Sequence, residues 1–88
     1  MEIISTEKAP AAIGPYSQGM RISGLLFTSG QIPIDPATGE VVEAEITAQA
    51  KQSIENVGQV LAAGGSSFEK VIKTTCFLAD MKDFAAFN

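Results

Sequence analysis

Histidine is missing altogether from these 88 residues, and cysteine occurs once, at Cys76. Without histidine, neither a Ser-His-Asp triad nor a Cys-His pair can be assembled, and a zinc site lacks its usual ligands in number. One cysteine alone cannot form an intramolecular disulfide. Positive charge is also sparse. Six Lys and Arg stand against ten carboxylates, for a net charge of −4, and no two of the six adjoin. Nucleic acid and anionic membrane surfaces both call for clustered positive charge, so neither is expected as a partner. The longest strongly apolar run in the interior is Leu25-Leu26-Phe27, far too short to cross a bilayer. The N-terminal stretch MEIISTEKAP has neither a basic start nor a continuous apolar segment, so it does not read as a signal peptide. A reducing cytoplasm is the expected location.

What is present suits one small domain spanning residues 1–88, with 45% apolar side chains. A chain this short leaves much of its surface wet, so burial against identical copies would help it. Met1 to Ser5 alternate weakly and suit an edge strand. Ala9 to Pro15 carries two prolines and a glycine and reads as an irregular loop. Gln18–Ser23 and Leu25–Ser29 are two short apolar runs joined at Ser23-Gly24, a hairpin signal. Asp35-Pro36-Ala37-Thr38-Gly39 is a strong turn, with a strand pair or extended arm expected on either side.

The main helix is predicted over Ile46 to Ala63. Ala50, Ile54, Val57 and Leu61 recur at helical spacing and define its expected buried stripe, leaving Lys51, Gln52, Glu55, Asn56 and Gln59 mostly toward water. Glu43 and Glu45 bring negative charge to its start, where the helix dipole favours it. Gly64-Gly65 supplies the stop. Ser66 to Glu69 can cap a short helical turn. VIKTTCFL, residues 71–78, is rich in β-branched and aromatic residues and is predicted as a strand. Ile72, Thr74, Cys76 and Leu78 share one face of it, and Cys76 is expected as a buried structural thiol. A second helix is predicted from Met81 onward. The element order is α+β, with helices packed on one face of a sheet.

Four features could carry chemistry. Cys76 has nothing nearby in sequence to lower its pKa. Asp80 and Asp83 are explained by capping. Gly64-Gly65-Ser66-Ser67 follows a helix instead of opening one, which does not suit a phosphate cradle. The fourth is the pair Gly14-Pro15-Tyr16-Ser17-Gln18 and Thr28-Ser29-Gly30-Gln31-Ile32-Pro33, placed at the two ends of the hairpin. Together they bring hydroxyls and a bare glycine amide close to one another, suited to orienting a polar ligand. The same residues are also ordinary turn formers, and physical chemistry alone favours that plainer reading.

Five stretches in order, IGPYSQ (13–18), TSGQIPIDPATGE (28–40), QAKQSIENV (49–57), KTTCFLADM (73–81) and DFAAFN (83–88), resemble the Rid family of reactive intermediate deaminases, the YjgF-type proteins. The resemblance implies a chorismate-mutase-like α+β fold, with a mixed β-sheet and two helices on one face, assembled as a homotrimer with clefts between subunits. It implies hydrolysis of 2-imino acids such as 2-iminobutanoate and 2-iminopropanoate to 2-keto acids and ammonia, without cofactor or metal. The small-molecule partner would be an imino or keto acid. Some family members suggest instead a non-catalytic keto-acid-binding or regulatory trimeric module. Carried over by position, Tyr16 would orient the substrate as the catalytic residue, and Ser29, the Gly30 amide and Asn88 would bind it. The family's carboxylate-clamping arginine and water-positioning glutamate fall beyond Asn88. So does the cysteine many members place beside that arginine, which Cys76 does not match. The chain is therefore expected to be incomplete at its C-terminus.

Overall fold

A computed structural model describes all 88 residues. Three strands, β1 (Glu2–Ile4), β2 (Gly19–Ile22) and β3 (Leu25–Thr28), form one antiparallel sheet in the order β1-β2-β3. The β2–β3 connection is the predicted Ser23-Gly24 turn. Both residues have positive φ, 50° and 79°, which gives the twist a two-residue hairpin needs. A second, two-stranded sheet pairs β4 (Ile34–Asp35) with β5 (Glu40–Val41) across the predicted turn. There the Asp35 carboxylate accepts from the Ala37 N–H at 2.8 Å and the Asp35 carbonyl from the Gly39 N–H at 2.8 Å.

Helix α1 runs Ile46–Ala63 with the predicted boundaries. Glu45 caps it, its carboxylate accepting from the Thr47 and Ala48 N–H groups at 2.9 Å each. These two bonds hold the Glu45 carboxyl below its ordinary pKa of 4.5. At the other end, the Ser66 N–H donates to the Leu61 carbonyl and the Gly65 N–H to that of Ala62, the pattern of a Schellman stop. Gly65 takes φ 77° there. Gly64 is needed for closeness instead: an added Cβ would lie 2.6 Å from Leu26 Cδ2.

The expected helix stripe requires correction. Ile54 is 50% exposed, whereas Asn56, predicted toward water, is 1% exposed. The face turned inward runs through Asn56, Val60 and Leu61. Val60 packs with Ile4 and Ala9, and Leu26 joins them, so the core sits between α1 and one face of the three-stranded sheet. The Asn56 amide donates to the carbonyls of Ile32 and Ile34, at 3.1 and 2.9 Å, and accepts from Gln52 at 2.9 Å. Burial of this polar side chain is tolerated because it is fully bonded.

The opposite sheet face is apolar and uncovered. In register, Ile3, Met20 and Phe27 form one row and Ile22 faces Leu25. Ile3, Ile22, Leu25 and Phe27 are all exposed, Phe27 at 57%. Only antiparallel pairs occur, which corrects the expected mixed sheet. Residues 71–78 are the reason: they join no ladder. With no neighbouring strand and no covering layer, their alternation buries neither face. Phe77 is 93% exposed, and Cys76 is an exposed free thiol instead of the expected buried one. The second helix starts three residues later than expected. A 3₁₀ turn, Met81–Asp83, capped by the Asp80 carboxylate on the Lys82 N–H, leads into α2 (Phe84–Phe87), which packs on α1. The turn at Phe68–Lys70 also forms, without a side-chain cap from Ser67. No helix is long and apolar enough to cross a membrane.

Candidate functional site

The hairpin brings its two polar ends together as the sequence suggested. Ser29 leaves β3 directly beside the chain entering β2. Its N–H donates to the Gln18 carbonyl at 2.9 Å and its hydroxyl to the Ser17 carbonyl at 2.5 Å. A carbonyl has no proton to give, so the Ser29 hydroxyl must be the donor in that pair. Its remaining lone pairs can only accept.

Tyr16 lies one residue before Ser17 on a tightly turned segment. Its N–H donates to the Gly14 carbonyl at 2.8 Å, and its phenol oxygen accepts a long 3.5 Å bond from the Ile13 N–H. Tyr16 is 50% exposed and lines an open hollow of about 600 Å³ with Thr6, Glu7, Ala12, Ser17 and Gln18 among its neighbours. Glu7 is the only charged side chain lining that hollow. No cation there matches a carboxylate.

Gly30 follows Ser29 on the surface. A Cβ at Gly30 would meet nothing within 4 Å, so its neighbours do not require glycine. Its N–H has no partner in the chain. A free donor on exposed Gly30 thus follows a part-buried acceptor, the Ser29 oxygen, whose partner Ser17 comes directly after Tyr16. Asn88 stands apart from them. It ends α2, with its N–H donating to the Phe84 carbonyl at 2.8 Å, and no side-chain bond ties it to Tyr16, Ser29 or Gly30. Ser29 and Gly30 adjoin the main chain at Ser17 and Gln18, while the hollow that Tyr16 lines includes neither of them.

Two further residues matter that hydrophobic periodicity could not reveal. Gln18 is 4% exposed, its amide entirely engaged with the loop over residues 6–10. Asn56 holds the chain at Ile32 and Ile34, just beyond Gly30. Both are amides placed where a burial pattern predicts water or a turn. Only their bonding partners, distant in sequence, explain them.

Comparison with known proteins adds to this geometry. Residues 6–88 match the family described as Endoribonuclease L-PSP. A RutC family protein of Haemophilus influenzae is 55% identical over 99% of this chain and 66% of its own length. The 2-iminobutanoate/2-iminopropanoate deaminase of Salmonella typhimurium is 52% identical over 97% of this chain and 66% of its own. Among solved structures, E. coli TdcF with bound serine superposes with a TM-score of 0.94 at 47% identity, covering 99% of this chain and 68% of that one. The chain therefore spans about two thirds of the length of these relatives.

Proposed function

Because the chain belongs to the Endoribonuclease L-PSP family, the Rid proteins, we propose that its site serves the hydrolysis of 2-imino acids, 2-iminobutanoate and 2-iminopropanoate, to 2-keto acids and ammonia. The observation that supports this reading is the free Gly30 N–H beside the acceptor-only Ser29 oxygen, held against Ser17, the residue after Tyr16. An imine carbon is already electrophilic. Its hydrolysis adds water across C=N, moves a proton to nitrogen and expels ammonia, with no covalent enzyme intermediate. What accelerates it is orientation of the imine and of water, with a place for the moving proton. In this scheme the Ser29 oxygen accepts from the imine N–H, the Gly30 N–H donates to the oxygen developing at carbon, and the Tyr16 hydroxyl fixes the substrate's position. Asn88 is assigned to substrate binding by the family resemblance alone.

A substrate carboxylate needs a cation, and the hollow beside Tyr16 has none. We place that clamp, and the carboxylate that positions water, in the third of the relatives' length that this chain does not span. The uncovered sheet face of Ile3, Ile22, Leu25 and Phe27 supports a homotrimer, because apolar area of this kind is stabilised by leaving water. The soluble setting proposed for this chemistry is the cytoplasm.

The test is ammonia release from 2-iminobutanoate made in situ by a threonine dehydratase. Two proteins are compared: the 88-residue chain, and the same chain extended by the C-terminal third of the Salmonella deaminase. Turnover above spontaneous hydrolysis in the extended chain, lost on Tyr16→Phe, is the expected result. No turnover in the extended chain overturns the proposal. Sedimentation of the extended protein as a monomer at micromolar concentration removes the trimer.

A further inference from the structure

We propose that Gln18 is a positioning residue that fixes Tyr16 by closing the loop on which it sits. The proposal rests on the reading of Tyr16 as the substrate-orienting group. The Gln18 side chain is all but fully buried, yet none of its polar atoms serves the core. Its Oε1 accepts from the Thr6 N–H at 2.6 Å. Its Nε2 faces three carbonyls, those of Thr6 at 3.0 Å, Ala9 at 3.3 Å and Pro10 at 2.7 Å. One amide thus ties down the chain from Thr6 to Pro10, immediately before the segment that swings out through Ile13 and Gly14 and returns at Tyr16.

The main chain of the same residue completes the link. The Gln18 carbonyl accepts from the Ser29 N–H, and the preceding carbonyl, that of Ser17, accepts the Ser29 hydroxyl proton. The loop that carries Tyr16 and the strand end that carries Ser29 are therefore registered against each other through residues 17 and 18. Within the loop itself Tyr16 has weak support. The 3.5 Å contact from the Ile13 N–H and the tight turn at Gly14 are local, and the residue is half exposed. A loop with so few internal bonds takes its order from what holds its ends together. At this one those bonds come from the Gln18 amide. Methionine has nearly the same length and flexibility but no donor, so Gln18→Met would fill the space and release the loop.

Tyr16 is the only tyrosine and the sequence has no tryptophan, so tyrosine fluorescence reports on this residue alone. The experiment compares acrylamide quenching of the wild-type chain, Gln18→Met and Leu61→Ala. The last removes buried side-chain volume from α1 without touching the loop. Melting temperature and far-UV circular dichroism are recorded for each. The expected result is a quenching constant that roughly doubles in Gln18→Met as the half-exposed residue becomes accessible from all sides, with no change in Leu61→Ala at comparable loss of melting temperature. Equal quenching in Gln18→Met and wild type would reduce Gln18 to a merely structural residue and overturn the proposal. If Gln18→Met does not fold, Gln18→Asn, which keeps an amide too short for the same carbonyls, takes its place: raised quenching in it supports the clamp, and wild-type quenching sinks it. Neither readout depends on turnover. Absence of imine hydrolysis would thus count against the proposed function while leaving the Gln18 result intact.

Discussion

The Ser29 hydroxyl and the Ser17 carbonyl are 2.5 Å apart, and this single contact sets the polarity of the candidate site. With its proton committed to Ser17, Ser29 meets a ligand as an acceptor, beside the Gly30 N–H, which is a donor. A group at the reacting carbon that carries N–H fits Ser29, and one that only accepts does not. In the extended protein, Ser29→Ala should lower kcat/KM for 2-iminobutanoate by about 2- to 13-fold, the effect of one neutral hydrogen bond of ~0.5–1.5 kcal/mol. Binding of 2-ketobutyrate, whose C2 oxygen only accepts, should change little. Steady-state ammonia release and titration calorimetry check the two halves, and equal losses for both ligands would contradict the assigned polarity.

Asn56 and Ile54 exchange the roles that their hydrophobicity suggests. Replacing Asn56 with Leu removes its amide bonds to the Ile32 and Ile34 carbonyls, of which Ile32's keeps the Ile34 N–H. The expected cost is about 1–3 kcal/mol, a fall in melting temperature of at least ~4 °C in a domain this small. Ile54→Asp, at a half-exposed site, should cost less in the same chain. Thermal melts of the two variants decide it. A larger loss from Ile54→Asp would restore the stripe read from the sequence.

Gly64 lets the end of α1 close on β3. In Gly64→Ala the new Cβ would sit 2.6 Å from Leu26 Cδ2, and overpacking of this kind costs typically ~1–3 kcal/mol. Because Leu26 is the obstacle, Gly64→Ala should be less damaging in a Leu26→Ala background. A double-mutant cycle by urea unfolding measures this coupling. Strict additivity would mean that the strain lies elsewhere.

Glu45 makes α1 sensitive to acid. Its pKa is lowered in the fold by the Thr47 and Ala48 N–H groups, so the carboxylate binds protons more weakly folded than unfolded. Its contribution is full above the unfolded value and fades as pH falls through the lower folded one. Glu45→Gln should therefore melt below wild type at neutral pH, and the two curves should converge in strong acid. A difference that persists unchanged at low pH would mean that the cap acts through packing and not through charge.

Signals that act over a few residues were legible in the sequence. Ser23-Gly24 and the Asp35–Gly39 turn set their own backbone geometry, and Glu45 with Gly64-Gly65 bounded α1 correctly, because caps and tight turns are local hydrogen-bonding problems. The approach of Ser17 and Gln18 to Ser29 followed from hairpin connectivity. Tertiary structure alone decided which face of α1 turns inward. Ile54 is apolar but meets water, while Asn56 is polar but finds two carbonyls more than twenty residues away, at Ile32 and Ile34. Residues 71–78 show the same limit from the other side. Their composition favours a strand, but a strand exists only through a partner's hydrogen bonds, and none pairs with them here. Cys76 is exposed for that reason. Gln18 is the clearest case, since nothing in its local sequence indicates that one amide gathers Thr6, Ala9 and Pro10. Burial of a polar group is permitted by its partners, and partners distant along the chain are fixed only when the chain has folded.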